Sequence, residues 1–282
     1  MEKLMLVDGH NLLFQMFFGM PAVIYGKENK PVHAVVGFVG ALLKIIKQVE
    51  PSHVLVLFDS EKGSSRGELN PAYKANRIDY TKVADADNPF LQLADIMKAL
   101  DHMKIKYHEA EGCEADDIIA SYVKKYREHM QICIVSKDTD FLQLVDQNVS
   151  QFIYRGKDSF LYDREKVLER FGVQAEWFAD YKSLMGDKAD NIKGVPKVGG
   201  KTAAKLLSKH KGIEELLANV DSIEPPRIKA AIQEHKDRIR CNMELIQLKG
   251  GENLPYELQE LSYDVAMESP GTINILKDLQ IM

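Results

Sequence analysis

The sequence predicts an α/β fold with a mostly parallel central sheet flanked by helices, and three observations predict it. Short apolar runs alternate with stretches of helical period through the first half of the chain. Three of those runs end in acids: residues 3–7 in Asp8-Gly9, 52–58 in Asp59-Ser60, and 131–135 in Ser136-Lys137-Asp138-Thr139-Asp140. From about residue 175 the pattern is helical throughout, punctuated by Pro225-Pro226 and Gly250-Gly251.

Taken in order, residues 3–7 and 52–58 read as buried strands. Val35, Val36, Val39, Leu42, Leu43 and Ile46 between them recur at helical spacing, so the chain starts strand, helix, strand. Residues 61–88 are polar, with Gly63, Gly67, Asn70 and Pro71, and are expected to form a long element over the site. A helix over 115–129 buries Ile118, Ile119, Tyr122, Val123 and Tyr126 and carries Glu114, Asp116 and Asp117 at its start. Residues 131–135 give a third strand. A helix over 176–185, with Trp177, Tyr181, Leu184 and Met185 at core spacing, runs out into Asp187 and Asp190, which can point the same way. The expected division is an α/β domain over 1–174 and a helical domain over 175–282.

Bulk properties exclude several classes. The chain has 282 residues, 45% of them hydrophobic and 28% charged, which is ordinary for a folded globular protein. Its longest apolar run, residues 34–43, falls short of the roughly 18 residues of a membrane span, and the N-terminus lacks a secretion signal, so a cytoplasmic location is expected. Cys113, Cys133 and Cys241 suit neither a disulfide framework nor a zinc site. A net charge of -5 counts against a nucleic-acid binder only if charge is spread evenly.

Asp8, Asp59, Glu114, Asp116, Asp117, Asp138, Asp140, Asp187 and Asp190 all fall at the ends of apolar segments. Each alone is explained by turn formation or helix capping. Together they are not, because the carboxyl ends of parallel strands share one edge of a sheet and gathered acids repel one another unless cations neutralise them. Hard oxygen donors select Mg²⁺ or Mn²⁺, and two such ions about 4 Å apart suit phosphodiester hydrolysis.

A second constellation is Gly194-Val195-Pro196-Lys197-Val198-Gly199-Gly200-Lys201-Thr202, a glycine-bounded turn opening a helix. Its backbone N–H groups suit a phosphate, and Lys197, Lys201, Lys205 and Lys209 recur every fourth residue as a ridge for a duplex backbone. A third is Arg66, Tyr73, Lys74 and Arg77. Lys74 and Arg77 share a face if their segment is helical, placed to neutralise a scissile phosphate, and Tyr73 suits stacking on an unpaired base. A solvated lysine face and an exposed basic loop are the bland readings of these two motifs. His10 and Cys113 are read as structural.

Val7-Asp8-Gly9, Phe58-Asp59, Tyr73-Lys74-Ala75-Asn76-Arg77, Glu111 through Asp117, Ser136 through Asp140 and Leu184 through Ala203 form one signature. In it the chain resembles bacterial 5'-3' exonucleases of the flap endonuclease family, and is similar to the 5'-nuclease domain of DNA polymerase I, here free-standing. The similarity runs over about residues 3–249. It implies a helical arch over about 61–95 and a helix-three-turn-helix motif that binds duplex DNA and a potassium ion. Asp8, Asp59, Glu114, Asp116 and Asp117 would form a first metal site, and Asp138, Asp140, Asp187 and Asp190 a second. Lys74 and Arg77 would contact the scissile phosphate and Tyr73 would stack, with Arg66 at the base of the arch. Gly194, Val195, Lys197, Val198, Gly199, Gly200, Lys201, Thr202 and Lys205 would meet the duplex. Asp79, Asp85 and Asp87 make the arch acidic where a single-strand channel would be basic.

The implied activity is metal-dependent cleavage of DNA near single-strand/duplex junctions, removing 5' flaps or RNA primers in replication and repair. The implied partners are branched or nicked DNA and RNA–DNA hybrids, with the protein a monomer. The rivals are a PIN-type ribonuclease, which the long helical part with its glycine turn disfavours, and a non-catalytic branched-DNA-binding protein.

Overall fold

The computed structural model describes residues 2–60, 70–264 and 271–282. Arg66, expected at the base of the arch, lies outside the described residues. Strands β1 (Lys3–Asp8), β2 (His53–Phe58), β3 (Lys106–Glu109), β4 (Gln131–Val135), β5 (Val149–Ile153) and β6 (Phe160–Tyr162) form one sheet in the order β3-β2-β1-β4-β5-β6. All neighbours are parallel except β5 and β6.

The central strands are apolar on both faces because both are covered. Met5, Val7, Val54, Val56, Phe58, Cys133 and Val135 pack against residues of helices Gly9–Gly19, His33–Val49 and Leu93–His102. Leu4, Leu6, Leu55, Leu57, Ile132 and Ile134 face the opposite way, onto Ile118, Ile119 and Tyr122 of helix Ala115–Tyr126. β3, β5 and β6 escape sequence reading; β3 and β6 are short edges, and β3 is Lys-Tyr-His-Glu, with no fully buried residue. β1 pairs with both β2 and β4, so chain connections leave it in opposite directions, and its carboxyl end opens a crevice at that reversal.

After β6 come helices Arg164–Phe171 and Phe178–Met185, then a short hairpin of two-residue strands, β7 (Gly186–Asp187) with β8 (Ile192–Lys193), and helix Gly200–Lys209. Helices Ile213–Ala218, Pro226–Glu234 and Lys236–Ile246 complete this part. Its core joins Val195, Val198, Leu206 and Ile232 to Leu142, Ile153 and Tyr162, so it is continuous with the far end of the sheet.

Two features differ from the sequence expectation. Residues 70–92 of the arch form turns and short 3-10 helices (Tyr80–Lys82, Asp85–Asp87, Pro89–Gln92) rather than an α-helix. Lys74 has φ +54° and its N–H donates to the Asp190 carbonyl (3.0 Å), so its backbone is committed to another segment. The end of the chain also leaves the helical part. Leu248 and Leu261 enter the core under helix Ala115–Tyr126, and Ile275, Leu276 and Ile281 enter the core on the other face of the sheet. Among the described residues no helix is long and apolar enough to cross a membrane.

Candidate functional site

Asp8 ends β1 and caps the next helix, its carboxylate accepting from the Asn11 N–H at 3.0 Å. Only glycine fits after it: a Cβ on Gly9 would lie 2.4 Å from the Phe58 ring and 2.8 Å from the Leu57 carbonyl oxygen. The Ser136 hydroxyl donates to the other Asp8 oxygen at 2.8 Å, tying the end of β1 to the end of β4. Asp59, just past β2, accepts from the Ala115 N–H at 2.8 Å and so draws in the helix that carries Glu114, Asp116 and Asp117. Glu114 caps that helix in a reciprocal box with Asp117.

The electrostatics show how tightly these acids are gathered. Burial and the Asp59 carboxylate push Asp8 up to about 7. Burial, with the charges of Asp8, Asp59 and Asp138, pushes Asp116 well above the usual carboxylate range. Asp59 goes the other way: burial would raise it, but His10, the Ala115 N–H and the Lys74 ammonium outweigh burial and hold it at about 2. One member of the group thus stays ionised while its neighbours resist joining it.

Asp140, Asp187 and Asp190 form a second group, each placing one carboxylate oxygen within 4.8 Å of the others. Asp138 lies between the groups. Burial raises it, Lys182 opposes that, and Asp187 adds to it, while Asp138 itself raises both Asp116 and Asp190. The Asp138 carboxylate accepts from the Asp140 N–H (2.9 Å), and Gln151 on β5 binds the Ser136 (2.8 Å) and Asp138 (2.5 Å) carbonyls, which shapes this loop. Asp187 and Asp190 come from the hairpin, where Gly186 (φ +81°) and Gly194 touch backbone to backbone. A Cβ on Gly194 would sit 2.1 Å from the Met185 carbonyl oxygen.

Among the described residues the gathered ligand atoms of Asp140, Asp187 and Asp190 are carboxylate oxygens, a hard donor set, and the mutual repulsion is what a divalent cation relieves. The residues present therefore fit Mg²⁺ or Mn²⁺.

Among the described residues, three cations reach these groups. Lys74 Nζ lies 2.8 Å from Glu114 Oε2, and Arg77 Nη2 lies 3.0 Å from Asp190 Oδ1. They converge without sharing a helix, because the segment is clamped to the hairpin. Asn76 donates to the Lys188 and Ala189 carbonyls, and Asn191 donates to the Ala72 carbonyl. The third cation, Lys182, was missed from sequence. It is 5% exposed and forms ion pairs with both Asp140 and Asp187. Its signal was a lysine beside Tyr181 and Leu184 in a helix whose residues are mostly buried. His10 and Ser136 were also missed as site residues. His10 Nδ1 is 3.7 Å from the Asp59 carboxylate.

Tyr73 is placed differently from expectation. Its ring is buried with Ala179, Ile192, Leu245 and Ile246, and its hydroxyl donates to Glu114 at 3.3 Å. In this arrangement it orients a carboxylate instead of offering a face to a base. Gly194 through Gly200 form the expected turn. Lys197, Lys201, Lys205 and Lys209 are exposed and line a single groove of about 710 Å³ with Thr202 and Arg227. Among the described residues none of these four lysines forms an ion pair with an acid.

Comparison with known proteins agrees with this geometry. Residues 3–172 match the 5'-3' exonuclease N-terminal, resolvase-like domain, and residues 173–269 match the 5'-3' exonuclease C-terminal SAM fold. The chain is 34% identical to DNA polymerase I of Bacillus subtilis over 283 residues, 99% of this chain and 31% of that one. It is also 34% identical to thermostable DNA polymerase I of Thermus filiformis, over 91% of this chain and 29% of that one. It therefore spans about 30% of the length of these relatives. Among solved structures, T5 5'-exonuclease with bound divalent (zinc) ions matches with TM-score 0.73 and 25% identity, over 88% of this chain and 90% of that one. The catalytic core of Rad2 in complex with a DNA substrate shares the fold, at TM-score 0.59 and 12% identity over 89% of this chain and 80% of that one. The chain belongs to the 5'-3' exonuclease family.

Proposed function

We propose that this protein is a divalent-metal-dependent 5'-3' exonuclease and flap endonuclease that hydrolyses DNA phosphodiesters where single strand meets duplex. The observation that carries the reading is the convergence of two carboxylate groups, joined through Asp138, at the carboxyl edge of the sheet with Lys74 and Arg77 beside them. Asp8, Asp59, Glu114, Asp116 and Asp117 would hold one Mg²⁺ or Mn²⁺, and Asp138, Asp140, Asp187 and Asp190 a second. When bound, such ions supply water activation and neutralisation of the charge developing on the phosphate.

The chain's own groups do the rest. Ser136 and the Asn11 N–H fix the Asp8 carboxylate, Tyr73 fixes Glu114, and the Ala115 N–H fixes Asp59, so the site is organised ahead of substrate. Lys74 and Arg77 bind the non-bridging oxygens of the scissile phosphate and stabilise its transition-state charge, leaving a 5'-phosphate and a 3'-hydroxyl. The Gly194–Thr202 turn and the ridge of Lys197, Lys201, Lys205 and Lys209 hold the duplex backbone without reading its sequence. The reading extends to a potassium ion in that turn, a monomeric protein, and RNA primers and 5' flaps as cellular substrates.

The test is a product-length assay on a 5'-flap, a nicked duplex and a matching single strand, each with Mg²⁺, with Mn²⁺ and with chelator. Metal-dependent cuts at the junction are expected, with mononucleotide release from the nick. Full flap binding without turnover in either metal would defeat the proposal.

A further inference from the structure

His10 touches both the carboxylate site and the arch. Its Nδ1 accepts the backbone N–H of Asp59 at 3.2 Å and lies farther, 3.7 Å, from the Asp59 carboxylate. An N–H can only donate, so Nδ1 meets it with a lone pair and the proton of the neutral ring sits on Nε2. Nε2 is buried with no hydrogen-bond partner among the described residues. Rings from three segments surround the imidazole, all edge to face. Phe14 of its own helix lies 6.4 Å away between centroids, Phe58 at the end of β2 lies 5.5 Å away, and Phe90 of the arch lies 5.2 Å away. Tyr80, also in the arch, packs on Phe14 at 5.4 Å and on Phe90 at 5.5 Å. The foot of the arch is itself anchored. Asn88 donates to the Tyr80 carbonyl (3.1 Å) and accepts from the Phe90 N–H (3.0 Å), and the Gln92 side chain accepts from the Ala34 N–H at 2.9 Å. A leucine would fill this aromatic box without burying an unpaired N–H, so packing alone does not call for an imidazole.

We infer that His10 is a positioning residue that ties the arch to the first carboxylate group. The arch rings fix the imidazole and the imidazole fixes the Asp59 backbone. Asp59 in turn accepts from the Ala115 N–H at 2.8 Å, at the head of the helix that carries Glu114, Asp116 and Asp117. Displacing the arch rings therefore reaches the carboxylates through His10. The inference rests on the assignment of Asp59 to a metal ion, and groups that orient a metal ligand typically change ion affinity by about 10–100-fold.

The experiment compares wild type, His10→Asn, His10→Leu and Tyr80→Ala without DNA, by hydrogen exchange of the Asp59 amide in chelator and by calorimetric titration with Mn²⁺. The asparagine side chain places an acceptor oxygen as many bonds from Cα as Nδ1 is, so it restores the bond, whereas the leucine side chain cannot. The Asp59 amide is expected to exchange about tenfold faster in His10→Leu and Tyr80→Ala than in wild type, and within about threefold of wild type in His10→Asn. Mn²⁺ affinity should fall about tenfold in His10→Leu and stay within about threefold in His10→Asn, with Tyr80→Ala between them. Wild-type protection of the Asp59 amide in His10→Leu or in Tyr80→Ala, or a His10→Asn variant no better than His10→Leu, overturns the inference and leaves the nuclease reading intact. A wild type that binds no Mn²⁺, with or without DNA, removes the metal assignment and the inference with it. Should His10→Leu not fold, NMR scalar coupling between the Asp59 amide nitrogen and His10 Nδ1 decides. Coupling present in wild type and weakened in Tyr80→Ala supports the inference, and coupling absent from wild type or unchanged in Tyr80→Ala refutes it.

Discussion

Replacing Lys74 with methionine should separate two quantities that usually fall together. The Lys74 ammonium is 2.8 Å from Glu114 and its side chain is 17% exposed, so it is a partly desolvated charge inside the first carboxylate group. At an effective dielectric of about 20, unit charges at that distance interact by roughly 6 kcal/mol before desolvation is subtracted. Methionine keeps an apolar stem over the Tyr73 ring, where Nζ now lies 4.8 Å from the centroid, and removes only the charge. Two consequences follow with opposite signs. Losing a preorganised cation from the transition state costs about 2.7–4 kcal/mol, a drop of about 10²–10³ in the single-turnover rate on a 5'-flap. Losing a competing cation leaves the carboxylates more negative, so Mn²⁺ should bind more tightly, by about tenfold. Rapid-quench cleavage at saturating metal and calorimetry without DNA measure the two. A cleavage rate within threefold of wild type, with metal affinity unchanged, would refute the assignment of Lys74 to the phosphate and to the first group.

Arg77→Ala should lower the rate by a similar order and leave duplex binding nearly intact, because the Arg77 side chain meets the Asp190 carboxylate beside the site and not the lysine ridge. A double Lys201→Ala, Lys205→Ala variant should bind a flap more weakly and shallow the slope of log K against log salt by about two, which filter binding at several salt concentrations checks. Asp8 has a folded-state value of about 7 against 3.8 for an ordinary aspartate, so the folded protein binds the extra proton. Metal-free stability should therefore fall as pH rises from about 4 to about 7, by up to a few kcal/mol, while Mn²⁺ affinity rises over the same window, as denaturant melts and titrations across pH will show. Gly194→Ala should destabilise the fold by more than 1 kcal/mol and weaken ion uptake, since a Cβ there collides with the Met185 carbonyl and pushes β7 and β8 apart.

Much of the site was legible in sequence because parallel-sheet geometry is strongly constraining. Apolar runs that end in Asp8, Asp59 and Asp138 can share an edge only if the strands run parallel, and the structure places β1, β2 and β4 side by side that way. The glycine turn was legible for a similar reason, since few residue types permit a backbone to approach so closely. Other features depended on contacts between distant segments. Lys74 and Arg77 reach the carboxylates because Asn76, Asn191 and the Lys74 N–H clamp residues 70–77 to the hairpin, not because they share a helix face. Tyr73 reads as a free aromatic until Ala179, Ile192 and Leu245 are seen to enclose it. Lys182 reads as one lysine in a short helix until Asp140, 42 residues earlier, arrives beside it. The sequence by itself determined which residue types stand at the ends of strands and helices, because local hydrogen bonding and side-chain periodicity act over a few residues. Tertiary structure alone decided which charges are buried against which, because desolvation and Coulomb energy depend on neighbours that only packing supplies.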